Sequence, residues 1–326
     1  GGDMEVRTWI AAALAMLAAS WGSAQGAETF PTHPVRIIVG FAPGGANDIV
    51  TRIVAQKLYE IWGQTVVVDN RGGAGGNIAG ELTAKSNPDG YTLFMTSGSI
   101  VTANQHLYKR MTYNPDKDLL AITSVASGPQ IIVVNPSAPW KTVKDLISAA
   151  KAKPKSITFG SAGFGTQTHL AAENFVYAAG IDVRHIPYKG EAPAMTDLLA
   201  GHIEFVTANL AAAIGFVTQN KLRGLAVTSK ERVRQLPDVP AVAETLPGFE
   251  NLGWFGLMAP AGTPRPIIDK VQKDTLKAIQ SPDVKARFDQ IGMYATGNSP
   301  EQFAKDIREE SRRWEKIIRE RKLAID

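Results

Sequence analysis

Two short segments carry the residues best suited to chemistry, and both lie where a strand gives way to a helix. The first is Phe41-Ala-Pro-Gly-Gly-Ala-Asn-Asp48. Gly44 and Gly45 let the backbone turn sharply there, leaving N–H groups free at Gly45, Ala46 and Asn47 as the helix begins. A helix N-terminus carries about half a positive charge together with unpaired N–H donors, so it favours a carboxylate or phosphate. Asp48 works against this, because a fixed anion beside a bound one is unfavourable. It either caps the helix or holds waters or a ligand ammonium. Taken alone, the motif is better read as a tight turn with an Asp cap.

The second segment is Ser161-Ala-Gly-Phe-Gly-Thr-Gln-Thr-His169. Gly163 and Gly165 expose backbone N–H groups around Phe164, Ser161, Thr166 and Thr168 add hydroxyls, and His169 falls in the first helical turn. On its own this too reads as an ordinary turn, with His169 structural. The pair is more informative, since α/β sheets place their ligands at the carboxyl ends of strands. Two such turns facing each other would grip the two ends of a small dianion.

Other chemistry is not supported. The loop Asn70-Arg-Gly-Gly-Ala-Gly-Gly-Asn77 looks phosphate-binding, yet counting G-x-G-x-x-G from Gly73 puts Ile78 where the third glycine belongs. No G-x-x-x-x-G-K-[ST] occurs, and the loop follows the second strand rather than the first. No G-x-S-x-G elbow surrounds Ser97, Ser99 or Ser161. The five histidines lack metal spacing, and no H-E-x-x-H is present. With no cysteine in the chain there is no thiolate nucleophile, disulfide or Cys-based metal site. Neither a cofactor nor a metal is expected.

The elements that must position the two turns alternate along the chain. Strands are predicted at 35–40, 65–69 and 91–95, with helices at 48–62 and 77–85 between them. The pattern restarts with strands at 131–134, 157–159, 183–186, 203–206 and 222–227 and helices at 142–152, 166–179 and 193–200. A strand at 254–258 and helices at 266–280, 282–290 and 300–322 close the chain. Strands separated by helices imply a largely parallel sheet with helices on both faces. The length of 326 residues, 44% of them hydrophobic, suits two domains. The first and last segments are expected to share one lobe, 27–127 with 251–326, while 128–250 forms the other.

The net charge is +4, and one basic cluster stands out: Arg308, Arg312, Arg313, Lys316, Arg319, Arg321 and Lys322. It alternates with Glu309, Glu310, Glu315 and Glu320, which describes a solvated helix face rather than a nucleic-acid patch. At the start, Arg7 precedes an apolar run at 9–19 and small residues at 20–27. That run is too short to span a bilayer and has the parts of a secretory signal peptide, here 1–26 with Met4 as start and Gly1–Asp3 as an upstream remnant. A soluble protein of the periplasm is expected.

Several motifs together resemble the Bug family, the receptors of tripartite tricarboxylate transporters. They are Pro43-Gly-Gly-x-x-Asp48, Asn70-Arg-x-Gly-Ala-Gly-Gly-Asn77, Pro88-Asp-Gly-Tyr-Thr-Leu93, Ser161-Ala-Gly-x-Gly-Thr166 with His169, and Pro187-Tyr-Lys-Gly190. Trp254-Phe-Gly-Leu-Met-Ala-Pro-Ala-Gly-Thr-Pro264 completes the set. The resemblance implies a two-lobed Venus-flytrap α/β fold of periplasmic binding-protein type, with a ligand cleft between the lobes and no catalysis. It implies a small organic acid held partly through waters by the 43–48 turn, with Asp48 holding water and the 161–169 turn facing it. Transient contact with membrane transporter subunits follows, and a monomer is expected. Where many relatives have a Met-Phe-Asp-type run this chain has Thr207-Ala208-Asn209, at the border of the cleft, so the identity of the acid does not transfer. Phe41 and Phe164 as apolar walls leave aromatic acids open beside aliphatic ones. Ser97 and Asn209 complete the expected lining. The rival reading is an exported α/β hydrolase acting on a small acid. For the leader, the mature N-terminus should begin between Gln25 and Glu28, and N-terminal sequencing of the periplasmic protein would refute this by finding the intact start.

Overall fold

The computed structural model describes residues 30–323; the leader expected at 1–26 lies outside them. The first unit runs β1 (Val35–Val39), α1 (Ala46–Trp62), β2 (Val66–Asn70), α2 (Asn77–Ala84) and β3 (Thr92–Ser97). Both β2 and β3 pair in parallel with β1. Val35, Ile37, Ile38 and Val39 are fully buried, as a central strand covered on both faces by helices requires. Helix α1 ends on Gly63 at φ 65°, whose N–H returns to the Tyr59 carbonyl.

Three short helices then follow, α3 (Gly98–Thr102), α4 (Asn104–Leu107) and α5 (Pro115–Asp118), none of them foreseen. They lead into β4 (Leu119–Val134), a strand of 16 residues of which the sequence pattern exposed only the last four. Its earlier part, rich in Ala, Ser, Thr and Gly and containing Pro129, lacks both an apolar run and a clean alternation. It is ordered by its partners instead.

The second unit consists of α6 (Val143–Ala152), β5 (Thr158–Ser161), α7 (Gln167–Ala179), β6 (Arg184–Pro187), α8 (Glu191–Leu199), β7 (Phe205–Asn209), α9 (Leu210–Thr218) and β8 (Arg223–Val227). β5 pairs in parallel with β6 and β7. Helix α9 was also unforeseen: Leu210-Ala-Ala-Ala-Ile-Gly-Phe-Val-Thr218 is apolar nearly all round and so shows no helical stripe. The chain returns through β9 (Leu252–Pro260), α10 (Arg265–Gln280), α11 (Pro282–Gln290), β10 (Tyr294–Ala295) and α12 (Pro300–Arg321).

The ten strands of the described residues form one sheet: eight follow the order β2-β1-β3-β9-β4-β7-β5-β6, and β8 and β10 pair with β4 off that path. β4 changes partners along its length. Leu119 to Pro129 pair antiparallel with β9, and Gln130 to Val134 pair with β7. The two halves of the sheet therefore share one strand.

Helix α12 packs Phe303 and Ile307 onto the sheet and turns its charged residues outward, with Lys305–Glu309 and Lys316–Glu320 at 3.9 Å as i,i+4 pairs. Its far end reaches the second half, where Arg321 donates to Asn174 Oδ1 at 2.7 Å and covers the Tyr177 ring at 4.1 Å. Gly256 in β9 makes this packing possible, since a Cβ there would stand 2.3 Å from Phe303 Cζ and 3.1 Å from the Thr123 carbonyl oxygen. Gly256→Ala should therefore cost ~1–3 kcal/mol by overpacking, read from urea unfolding; an unchanged stability would mean that Phe303 moves aside freely.

Candidate functional site

Four strand ends, those of β1, β5, β6 and β7, deliver their following turns to one place between the halves of the sheet. The first turn is built as the sequence suggests. Gly44 takes φ 85°, Gly45 is the N-cap of α1 with no side chain to cap it, and the Ala46 N–H reaches across the gap. Asp48 is committed to the turn itself. Its carboxylate accepts from Gly44 N–H, Arg52 Nε and Asn70 Nδ2, each at 3.0 Å, and pairs with Arg52 Nη2 at 3.0 Å. Of the roles open to it, bracing the turn is the one its geometry serves.

Asn70 also donates to the Phe41 carbonyl at 3.0 Å, so the glycine-dense loop after β2 supports the first turn. Asn47 donates to the Met95 carbonyl at 3.1 Å. Ser97 is fully buried at the end of β3, its hydroxyl 3.5 Å from Ser99 Oγ, and it stands outside the cavity lining.

The second turn is self-satisfied to a degree that sequence could not show. Thr166 caps α7, accepting from His169 N–H at 3.3 Å, and its hydroxyl donates to the Gly163 carbonyl at 2.7 Å. Thr168 Oγ1 accepts from Ala162 N–H at 3.0 Å, and Gly165 N–H donates to His169 Nδ1 at 3.2 Å. Gly163 and Gly165 adopt φ 131° and 73°, values that L side chains rarely reach. Their hypothetical Cβ atoms would meet the Tyr188 carbonyl oxygen at 2.8 Å and Asn104 Oδ1 at 2.5 Å.

Behind this turn lies a stack of rings: Phe159, His185 and His169, with centroids 4.7 and 4.2 Å apart, and Phe164 edge-on to both histidines. His185 Nε2 is 2.7 Å from Ser161 Oγ, and its buried Nδ1 has no hydrogen-bond partner. The cheapest arrangement puts the proton on Nε2, donating to Ser161, and leaves Nδ1 as a bare lone pair. Burial, reinforced by His169, pushes the His185 pKa down to about 2.

The turns meet across the gap. Ala42 N–H donates to the Lys189 carbonyl at 3.2 Å, and Tyr108 Oη donates to the Phe164 carbonyl at 3.1 Å. They close on a narrow gap of about 10 Å³, to which Phe41, Asn47 and Phe255 contribute from one half and Thr166, Gln167 and Asn209 from the other. Of the expected residues, Phe41, Asn47, Thr166 and Asn209 line it directly. Gly44, Gly45, Ala46, Gly163, Gly165 and His169 are not among its lining residues, and Phe164, 41% exposed, lines a separate cavity with Tyr108, Gly163 and Phe41.

Glu191 is the residue that sequence reasoning missed. It begins α8 and is fully buried. One carboxylate oxygen accepts from Ala46 N–H at 2.8 Å; the other accepts from Asn209 N–H and Nδ2 at 2.5 and 3.0 Å. Burial raises its pKa, and the hydrogen bonds only partly offset that. A carboxylate directly after Gly190, at a helix start that follows a strand end, was the signal available. Gln167 was missed too: it donates to Asn209 Oδ1 at 3.1 Å and accepts from Trp254 N–H at 3.2 Å, tying α7 to β9.

Turns from both halves of a strand-sharing sheet, converging on a small polar cavity, define the class of two-lobed periplasmic binding proteins. The comparisons narrow it. The model of the tripartite tricarboxylate transporter family receptor matches residues 50–323. The protein BugT of Bordetella pertussis is 36% identical over 296 residues, covering 90% of this chain and 91% of BugT. The structure of R. palustris Rpa4515 with adipate superposes with a TM-score of 0.86 at 34% identity, covering 89% of this chain and 97% of that one. MatC from Rhodopseudomonas palustris with bound malate gives 0.84 at 28% identity, covering 89% and 100%. The chain belongs to the tripartite tricarboxylate transporter receptor family, which includes the Bug proteins, and the family and its structural neighbours are solute-binding proteins.

The buried ring stack has a consequence in solution. An unfolded histidine takes up its proton near pH 6.5, whereas folded His185 stays neutral until about pH 2, so acid favours the unfolded chain. This share of stability is present above pH 6.5 and is lost as pH falls, by about 2 kcal/mol between pH 7 and pH 5. His185→Phe, which keeps the stacking, should flatten the dependence of unfolding free energy on pH in that range by this amount; an equally steep profile would show that His185 titrates normally.

Proposed function

We propose that this protein captures a small organic acid, aliphatic or aromatic, in the cavity between its lobes and delivers it to a tripartite tricarboxylate-type membrane transporter or to a sensor, without transforming it. The observation that carries the reading is the convergence of backbone N–H donors from two lobes, at Ala46 and Asn209, on one buried carboxylate. A pair of donors that holds a glutamate carboxylate there is equally fit for a ligand carboxylate. The relatives with bound adipate and malate support an acid of that class.

On this reading the lobes comprise 27–127 with 251–326, and 128–250. The switch of β4 from β9 to β7 between Pro129 and Gln130, and the start of β9 at Leu252, support these boundaries. Gly45 and Ala46 meet the acid from one side, Asn209 and the Thr166 turn from the other, and Phe41 and Phe164 wall it. Asp48 acts through the turn it braces. The protein works as a monomer in the periplasm.

Gly45 offers the direct test. Its φ of −79° is open to any residue, so a substitution probes space rather than strain. A Cβ there already comes 3.2 Å from the Glu191 carboxylate oxygen, and valine adds two methyl groups. A hydrogen bond to a charged group is worth ~1.5–3 kcal/mol, so Gly45→Val should weaken binding at least tenfold while circular dichroism stays unchanged. Calorimetry with adipate, malate and benzoate reads the effect. Binding equal to the parent would put the acid elsewhere, and consumption of any of these acids followed by NMR would overturn capture without transformation.

A further inference from the structure

We infer that Glu191 is a built-in competitor for the ligand carboxylate, and so decides which acids the cleft retains; the inference rests on the proposed function and deepens it. The Glu191 carboxylate takes the Ala46 N–H from one lobe and the Asn209 N–H and side-chain amide from its own. These are the donors that the two strand ends prepare for an anion. The residue arrives there on a docked segment: Lys189 accepts from Ala42 N–H, and a Cβ on Gly190 would sit 3.0 Å from Ala42 N, so the backbones touch across the cleft. The glutamate therefore bridges the lobes in the manner of a ligand.

The cavity beside it cannot absorb a second anion cheaply. Its polar lining is Asn47, Thr166, Gln167, Thr168, Asn209 and Glu191, and Glu191 is the one charged side chain among its lining residues. Two carboxylates within a few ångströms, with neutral partners and little water, repel strongly. The three N–H bonds also satisfy one carboxylate, not two. An incoming acid must therefore displace Glu191 from Ala46 and Asn209. Glu191 is the first residue of its helix, and separation of the lobes carries Ala46 away from it, so displacement breaks no element. The ligand's net affinity is then the difference between two carboxylates competing for the same donors. An acid whose second polar end takes over a bond that Thr166 or Gln167 now makes within the protein gains what a short monoacid lacks, so the cleft discriminates against monoacids.

Glu191→Ala and the near-isosteric Glu191→Gln test this by calorimetry with acetate, malate and adipate, and by small-angle scattering of the acid-free proteins. Removing the competitor should raise affinity for adipate and malate about tenfold or more in Glu191→Ala, and let acetate bind measurably. Glu191→Gln, keeping one acceptor, should fall between. Without acid, Glu191→Ala should have a larger radius of gyration than the parent, since the bridge is gone. Circular dichroism and melting verify the fold. Weaker binding in Glu191→Ala would mean that the residue holds the ligand, and equal binding that it stands aside; either overturns the inference while leaving the proposed function intact. If no protein binds any acid of the panel, the proposed function itself falls, and the competition with it.

Discussion

The first N–H groups of a helix have no partners within it, and in this fold the helix starts of α1 and α9 are buried at one place. Buried donors left unpaired cost free energy, so something must accept from Ala46 and Asn209. Much of the site follows from that requirement. Gly45 carries no side chain because a carboxylate must approach the helix start closely. Asp48, the anion nearest in sequence, is drawn away by Gly44, Arg52 and Asn70, which leaves the helix start free for an acceptor from across the cleft. Glu191 supplies that acceptor, at the expense of burying a charge whose three partners are all neutral.

The sheet provides the frame in which this is possible. A strand of 16 residues that pairs first with β9 and then with β7 belongs to both lobes, so the lobes are coupled by continuous backbone. Contacts that bridge them elsewhere are apolar as well as polar: Leu170 shares a buried cluster with Ala103, Leu107 and Ile318, while Gln167 reaches Trp254, Tyr108 reaches Phe164, and Arg321 reaches Asn174 and Tyr177. Hydrogen bonds of this sort exchange with water at small net cost. The polar contacts are readily traded for water, whereas the apolar ones hold the lobes together.

The second turn shows a different use of polar groups. Thr166, Thr168, Ser161 and His169 spend much of their bonding on each other and on the glycine backbone between them. That rigidifies one wall of the cavity. The His185–Ser161 pair, which in isolation has the look of a base and a nucleophile, sits in a stack of rings with the imidazole held neutral and no carboxylate behind it. Its role is to support the turn.

The sequence by itself determined the alternation of strands and helices, the helical tail, and the positions of both anion-friendly turns. These depend on local chemistry: glycines for tight turns, β-branched runs such as Val35 to Val39, and helical spacing in α10 and α12. Motif order also identified the family. Tertiary structure decided the rest. The early part of β4 and helix α9 escaped because small residues or an all-apolar helix leave no periodic signal, and partners rather than propensity order them. The role of Asp48 rested on where Arg52 and Asn70 fold around it. Glu191 lies 145 residues from the N–H group it accepts. No local pattern encodes such a contact, because a surface acid and a buried acid are the same residue until the lobes bring its partners together.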